Sequence, residues 1–203
     1  AGKLMSEKRP LVIAHRGFSA MVGAPGIGKS GVVLDMAAAI STGRRWMGRK
    51  TMRQPVLYLP GEGLSGAVQR LLAWESAHDV DLGADLFLGD SIIQAAASKE
   101  AWGAVVQRIV DLGIGFIIID TFARATVGLE ENSATEVGRA IEKFDRVRRL
   151  TSTGLMVVHH SNKAGGTRGS SALNGALDTE LTITDGDWWD HGTPDDPTPP
   201  PGR

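Results

Sequence analysis

The sequence predicts an α/β fold in which a mostly parallel sheet carries helices on both faces. Short apolar runs, each of a length typical of a buried strand, alternate with longer segments whose apolar residues recur at helical spacing. Strands that are apolar throughout belong to sheets covered on both sides, and such sheets are mostly parallel. With 203 residues, the chain is long enough for one domain with a sizeable hydrophobic core.

Each predicted element follows from its local pattern. Strong strands are predicted at residues 18–22, 56–59, 116–119 and 155–158, and a weaker strand at 181–184. A first helix is predicted from residue 28 to about residue 42, where Gly43 is a typical stop signal. Three later helices are predicted from their apolar faces, which are Leu64, Ala67, Val68, Leu71 and Leu72; Trp102, Val105, Val106, Ile109 and Val110; and Val137, Ile141, Phe144, Val147 and Leu150. The apolar runs at 86–88 and 92–93 are too short to classify.

Composition divides the chain into three parts. Residues 1–10 are polar and predicted to be a mobile N-terminal segment, and residues 11–184 are predicted to form the domain. Residues 185–203 contain five aspartates and one arginine and end in a Pro-rich stretch, a composition that does not form a packed core.

Overall composition excludes several classes of protein. Hydrophobic residues make up 42% and charged residues 22%, as in an ordinary soluble protein, and cysteine is absent, which excludes disulfides and cysteine metal sites. No apolar run is long enough to cross a bilayer, so we expect a cytoplasmic protein with no membrane partner. The net charge of −1 argues against a protein that coats nucleic acid, but it does not exclude a few basic DNA-binding loops.

The strongest functional motif is a phosphate-binding loop between the first strand and the first helix. Its glycines let the backbone curl so that N–H groups point at phosphate oxygens, and the helix N-terminus adds its positive dipole end. The lysine of such a loop reaches the β- and γ-phosphates, and the following serine ligates Mg²⁺. The pattern predicts an ATP site formed by Gly23, Ala24, Pro25, Gly26, Ile27, Gly28, Lys29, Ser30 and Gly31.

Two carboxylates follow other predicted strands. Asp120 ends the apolar strand at 116–119, so we expect it at the carboxyl edge of the sheet, facing the phosphate loop and holding Mg²⁺ with Ser30. Glu62 stands between Gly61 and Gly63, just past the strand at 56–59. A carboxylate there can deprotonate the attacking water, and an ordinary role at the start of the next helix is an equal alternative.

His159 and His160 end the strand at 155–158. Adjacent residues of a strand point to opposite faces, so these two imidazoles are not expected to chelate one metal. We expect a structural role for His159. For His160, contact with the γ-phosphate or attacking water and a structural role remain open. The glycine-containing loop that follows includes Lys163 and Arg168, which either act at the phosphate site or are solvated.

These stretches together resemble the RecA-like P-loop ATPases of the plasmid and phage replicative helicase RepA group. The matching stretches are Gly-Ala-Pro-Gly-Ile-Gly-Lys-Ser, Leu-Tyr-Leu-Pro-Gly-Glu, Ile-Ile-Asp-Thr-Phe-Ala-Arg, Glu-Glu-Asn-Ser, His-His-Ser-Asn-Lys and Arg-Gly-Ser-Ser-Ala-Leu, in the order of that group. An acidic residue that often follows the catalytic glutamate in the group is replaced by Gly63.

The resemblance implies a RecA-like P-loop NTPase fold and Mg²⁺-dependent ATP hydrolysis. It also implies a homohexameric ring around single-stranded DNA, with Glu62 as the catalytic base. His160 is implied as a γ-phosphate sensor and Arg168 as an arginine finger that acts in the neighbouring site. We therefore expect a replicative helicase-type motor. A filament-forming recombination or repair ATPase and a nucleotide-switched loader or regulator are the alternatives.

Overall fold

The computed structural model describes residues 13–61, 63–130, 132–161 and 172–184. These residues form six strands and six helices, which alternate except that two helices lie between the fourth and fifth strands, and a single 3₁₀ turn at Gly83–Asp85. The strands are β1 (Phe18–Gly23), β2 (Val56–Pro60), β3 (Leu86–Leu88), β4 (Phe116–Asp120), β5 (Gly154–His160) and β6 (Thr179–Ile183). The helices are α1 (Lys29–Thr42), α2 (Leu64–His78), α3 (Lys99–Asp111), α4 (Phe122–Ala125), α5 (Ala134–Thr151) and α6 (Ala172–Ala176).

All six strands belong to one sheet with the order β3-β2-β4-β5-β1-β6, and every neighbouring pair is parallel. The predicted α/β fold with a mostly parallel sheet is thereby confirmed. The run at 86–88, too short to classify from sequence, forms the edge strand β3, whereas residues 92–93 belong to no helix or strand. Helices α4 and α6, at four and five residues, were too short for a periodic signal.

Both faces of the sheet are covered by helices. On one face, Ile117 and Ile119 of β4 pack with residues of α3, α4, α5 and α6. On the other, Phe116 and Ile118 pack with residues of α1 and α2. The alternation of the two clusters along one strand shows why the strand is apolar throughout, since each face of the pleat is buried.

Helix α1 is buried along most of its length, because it lies between the sheet and α2. It ends where the sequence predicts, at Gly43, whose φ of 74° is left-handed and whose N–H donates to Ile40 O at 3.2 Å. An indole–carboxylate hydrogen bond of 2.8 Å, from Trp74 Nε1 to Asp35 Oδ1, joins α2 to α1.

The apolar faces predicted for three helices are partly wrong, and in α3 the exception is Val110, which is 56% exposed. In α2 only Ala67 and Leu71 are buried, while Leu64, Val68 and Leu72 are 36–58% exposed. This helix packs on α1 with one stripe, and Leu64, Val68 and Leu72 lie outside that buried stripe. At the end of α5, Leu150 is 61% exposed because the helix runs past the core there.

The longest described helix, α5, has 18 residues and carries charged side chains along one side. None of the described helices is long and apolar enough to span a bilayer.

Phe144 is the aromatic centre of the α5 face, packed edge-on against Trp102 and Phe122 with ring centroids 5.6 and 6.1 Å apart. Since it is 2% exposed, Phe144→Ala should lower the free energy of unfolding by about 3–5 kcal/mol in urea denaturation. Leu150→Ala on the same helix is the matched control and should change it by less than about 0.5 kcal/mol. Equal effects of the two substitutions would contradict this assignment of the core.

Candidate active site at the carboxyl edge of the sheet

The parallel sheet brings four distant segments to one edge. β5 lies between β1 and β4, with Gly23 aligned to His160 and Asp120 aligned to Val158. On the far side of β4, Pro60 is aligned to Asp120. Since alternate residues share a face, Asp120 lies on the face of Phe116 and Ile118, which is the face that α1 covers. The carboxyl ends of β1, β2, β4 and β5 therefore lie at one edge of the sheet, where α1 begins after β1.

The glycines of the phosphate loop serve two different purposes. Gly26 and Gly28 have φ values of 78° and 96°, and a Cβ built on either would meet open space, so backbone conformation requires glycine there. Gly23 is required by close packing, because its Cβ would lie 2.7 Å from Ile183 O of the neighbouring strand β6. Backbone conformation thus requires glycine at two positions of the loop, and close packing against the sheet requires it at a third.

The N-terminus of α1 presents free hydrogen-bond donors to this loop. The first helical hydrogen bond runs from Val32 N to Gly28 O at 3.1 Å. Within the described ranges, the backbone N–H groups of Lys29, Ser30 and Gly31 have no hydrogen-bond acceptor. Unpaired N–H groups and the helix dipole together form an anion-binding site, which is the arrangement that a triphosphate requires.

Lys29 is buried at the centre of the site, with 5% of its surface exposed. Its Nζ donates to Gly23 O and Ala24 O, both at 2.8 Å, and lies 3.2 Å from His160 Nδ1. Burial lowers the pKa of Lys29, and the negative charge of Asp120 raises it in part. The loop carbonyls therefore fix the position of a poorly solvated ammonium, which favours a strong interaction with an incoming phosphate.

Asp120 is held by a residue that sequence reasoning missed. Tyr58, 2% exposed on β2, donates its hydroxyl to Asp120 Oδ2 at 2.5 Å, and Asp120 is 4% exposed. Burial raises the pKa of Tyr58, and the neighbouring Asp120 charge raises it further. The pairing of β2 with β4 would have predicted this contact, because Pro60 is aligned with Asp120 and Tyr58 lies on the same face of the sheet as Pro60.

The donors at this edge fit Mg²⁺ bound with a nucleotide. Tyr58 engages one oxygen of Asp120, so the carboxylate is oriented while its other oxygen remains available as an acceptor. Ser30 is half-buried in the first turn of α1. In the part of the chain that the structure describes, no three histidine or carboxylate side chains converge. One carboxylate and one hydroxyl, completed by phosphate and water, is a donor set that Mg²⁺ commonly uses.

The two histidines occupy opposite faces of β5. His159 is 2% exposed and packs edge-on against Phe122, with ring centroids 5.4 Å apart on the face away from the phosphate loop. His160, half-buried, lies on the face of the phosphate loop beside Lys29. The next residue, Ser161, donates its N–H to Gly23 O at 3.0 Å. The end of β5 is thus tied to the phosphate loop by both backbone and side chain.

Glu62, Lys163 and Arg168 lie outside the described residues. The backbone beside Glu62 is described, and Gly61 N donates to Asp120 O, which ties this segment to the end of β4. A Cβ on Gly61 would lie 2.7 and 2.8 Å from Cγ and Cβ of Arg124 on α4. The chain before Glu62 is therefore packed against the segment that follows Asp120.

A family model described as an AAA domain matches residues 8–166, which is most of the chain and includes the phosphate loop, Asp120 and both histidines. No curated protein shows significant similarity to the chain.

The Tyr58–Asp120 contact predicts an unusual alkaline titration. The chain has one tyrosine, so the ultraviolet absorbance of tyrosinate reports Tyr58 alone. Because the pKa of Tyr58 is raised in the fold, the native protein should show no tyrosinate as pH passes about 10, where unfolded protein ionises. The unfolded state then binds fewer protons than the native state, so stability should fall as pH rises above about 10.

Tyr58→Phe is the control for this titration and should abolish the absorbance change in native and unfolded protein alike. An ordinary titration of Tyr58 in protein that circular dichroism shows to be folded would contradict the buried hydrogen bond.

Proposed function

This chain belongs to the AAA domain family, and we propose that its ATPase site drives a replicative helicase-type motor on single-stranded DNA. Membership of the family accounts for nucleotide binding and ATP hydrolysis in general. The observation that carries the ATPase assignment here is the position of Lys29, whose buried ammonium lies in the phosphate loop beside His160 and near Asp120.

Binding of ATP follows from the donors at the start of α1. The unpaired N–H groups of the first turn donate hydrogen bonds to phosphate oxygens, and Lys29 Nζ provides positive charge at the β- and γ-phosphates. Ser30 and Asp120 are the residues that hold Mg²⁺, which neutralises charge on the phosphates when it is bound. Tyr58 keeps the Asp120 carboxylate in one orientation through its hydrogen bond.

Hydrolysis also requires a base, and Glu62 is our proposal for it. Pro60 is aligned with Asp120 and Gly61 N donates to Asp120 O, so the described chain reaches the end of β4 immediately before Glu62 in the sequence. A carboxylate there takes a proton from the attacking water, a role that neither Lys29 nor Asp120 can fill while each is bound to phosphate or metal.

His160 and Arg168 are proposed to connect hydrolysis to the assembly. Because His160 Nδ1 lies 3.2 Å from Lys29 Nζ, a change in the hydrogen bonding of Lys29 on phosphate binding reaches the end of β5 directly. The sequence that follows β5 contains Arg168, which we propose to reach the γ-phosphate in a neighbouring subunit as an arginine finger. A homohexamer that encircles single-stranded DNA is the assembly supported by the resemblance to the RepA group.

Lys29→Ala should reduce ATP hydrolysis by at least about 100-fold, because it removes the fixed charge that stabilises the transferring phosphoryl group. The measurement is steady-state phosphate release with Mg²⁺, together with binding of a fluorescent ATP analogue. Lys99→Ala, at an exposed lysine on α3, is the matched control and should be as active as wild type. Retention of full activity by Lys29→Ala would refute the assignment of this loop as the ATP site.

Glu62→Gln should bind ATP with near-normal affinity but hydrolyse it about 10²–10⁴-fold more slowly, because an amide cannot accept the proton of water. Single-turnover hydrolysis and nucleotide affinity are measured on the same preparation. Glu142→Gln, at an exposed position of α5, serves as the control. Near-normal hydrolysis by Glu62→Gln would assign this side chain to the helix start instead.

The motor function is tested by adding oligo-dT to the ATPase assay and then a forked duplex. A helicase-type motor shows faster ATP hydrolysis with oligo-dT and separates the fork in an ATP-dependent reaction, and Lys29→Ala shows neither. Stimulation without unwinding would favour a filament-forming ATPase. The absence of both effects would favour a nucleotide-switched regulator and overturn the proposal.

A further inference from the structure

A strongly basic loop lies between α1 and β2, at the edge of the sheet opposite the ATP site. Residues 44–53 are called here the basic loop. They contain no acidic residue and five cations, which are Arg44, Arg45, Arg49, Lys50 and Arg53. Pro55, which follows the basic loop and precedes β2, accepts a hydrogen bond from Gly115 N at 2.8 Å, and Gly115 immediately precedes β4. The basic loop therefore lies at the edge of the sheet where the strands begin. The basic loop is therefore separated from the ATP site by roughly the length of a five-residue strand, about 17 Å.

The basic loop is compact and closed at its neck. Thr51 Oγ1 donates to Arg44 O at 2.7 Å and lies 3.2 Å from Ala39 O, so it ties both ends of the loop to α1. A Cβ built on Gly43 would lie 3.1 Å from Cβ of Arg53, which shows how closely the two ends approach. Trp46 is 8% exposed and anchors the loop in the core beneath α1. The cations are thus carried on a fixed scaffold.

The tip of the basic loop presents an exposed methionine in a strained conformation. Trp46 and Arg49 exchange two backbone hydrogen bonds of 2.9 and 2.8 Å around a two-residue turn. Met47 has φ 47° and is 67% exposed. A left-handed conformation costs a side chain such as methionine roughly 1–2 kcal/mol, and asparagine or glycine would be ordinary at this position. The turn therefore holds an apolar side chain at the exposed tip of the loop.

Most of the cations have no carboxylate partner. Arg53 pairs with Asp85 at 2.8 Å, and Arg45 donates to Gly48 O at 2.8 Å. Among the described residues, no carboxylate lies within ion-pairing distance of Arg44, Arg49 or Lys50, and all three are exposed. The positive charge of this projecting loop is therefore available to a polyanion.

We propose that the basic loop binds the phosphate backbone of single-stranded nucleic acid. Four of its five cations are arginines, whose planar donors match phosphate oxygens, and Met47 offers apolar surface to a sugar or base. The charges lie on an exposed loop and not in a pocket, which suits a chain of repeating phosphates better than a small anion. This inference rests on the proposed action on single-stranded DNA and assigns a DNA contact on the side away from ATP.

The test compares two triple variants that remove the same charge. The loop variant is Arg44→Ala, Arg49→Ala and Lys50→Ala, and the control is Lys99→Ala, Arg108→Ala and Arg139→Ala, which also removes two arginines and one lysine from exposed positions. Binding of fluorescein-labelled oligo-dT is followed by anisotropy at several KCl concentrations, and circular dichroism verifies that each variant is folded.

The loop variant should bind oligo-dT at least about tenfold more weakly, and its slope of log affinity against log salt should be less steep by about 2, since each lost phosphate contact removes about 0.7. Its ATPase activity without DNA should be unchanged, and stimulation by oligo-dT should be lost. The control should match wild type in all three measurements.

The outcomes separate this inference from the proposed function. If wild type binds oligo-dT and the loop variant binds it equally well with the same salt slope, only the assignment of the basic loop is overturned. Absence of wild-type binding overturns the assignment together with the DNA motor. A third outcome is that wild type binds phosphatidylserine vesicles or polyglutamate, and the loop variant loses this binding but still binds oligo-dT. The partner of the basic loop would then be a membrane or an acidic protein and not nucleic acid.

Discussion

The position of β5 between β1 and β4 is the constraint on which the site depends. Backbone hydrogen bonds on both sides of this strand hold the phosphate loop, the end of β4 and His160 in one register. A shift of one residue in either pairing would move Asp120 or His160 to the opposite face, away from α1. The apolar residues of both faces oppose such a shift, because each strand is buried on both sides. Packing of the core therefore fixes the geometry of the site.

Within that frame, the site consists of charged groups that are kept from water and held by neutral partners. Lys29 is bound by two carbonyl oxygens and Asp120 by the Tyr58 hydroxyl. Burial of a charge is unfavourable unless hydrogen bonds compensate for lost solvation, and both groups satisfy this condition. Interactions in such a site with the charges of a nucleotide and its metal are stronger than they would be in water, and the groups are already oriented before the nucleotide binds.

The same chain topology separates two kinds of surface. The carboxyl edge of the sheet carries the phosphate loop and Asp120, whereas the opposite edge carries the basic loop, because every crossover helix returns the chain to the start of the next parallel strand. Helix α1 connects the two, since the phosphate loop precedes its first turn and the basic loop follows its last. A ligand at one edge leaves the other edge accessible, and a rigid helix joins them.

Local sequence patterns predict the fold class and the residues whose roles depend on a short motif. Strand apolarity and helical spacing predict the parallel sheet, and one contiguous motif points to Lys29 and Ser30. Asp120 is predicted as a metal ligand because it ends an apolar strand. Which residues meet across strands depends instead on the packing of distant segments. Tyr58 and Asp120 are 62 positions apart, and their hydrogen bond depends on the pairing of β2 with β4.

Burial was likewise decided by the tertiary structure. Leu64 and Leu72 have the spacing of a buried face, but whether such a face is covered depends on the element packed against it, and α1 covers only one stripe of α2. The charges of the basic loop are visible in the sequence, whereas its closed neck and the left-handed Met47 result from contacts with α1 and the core. Local patterns depend on neighbouring residues, whereas the register of the strands and the burial of helix faces depend on segments that are distant in the chain.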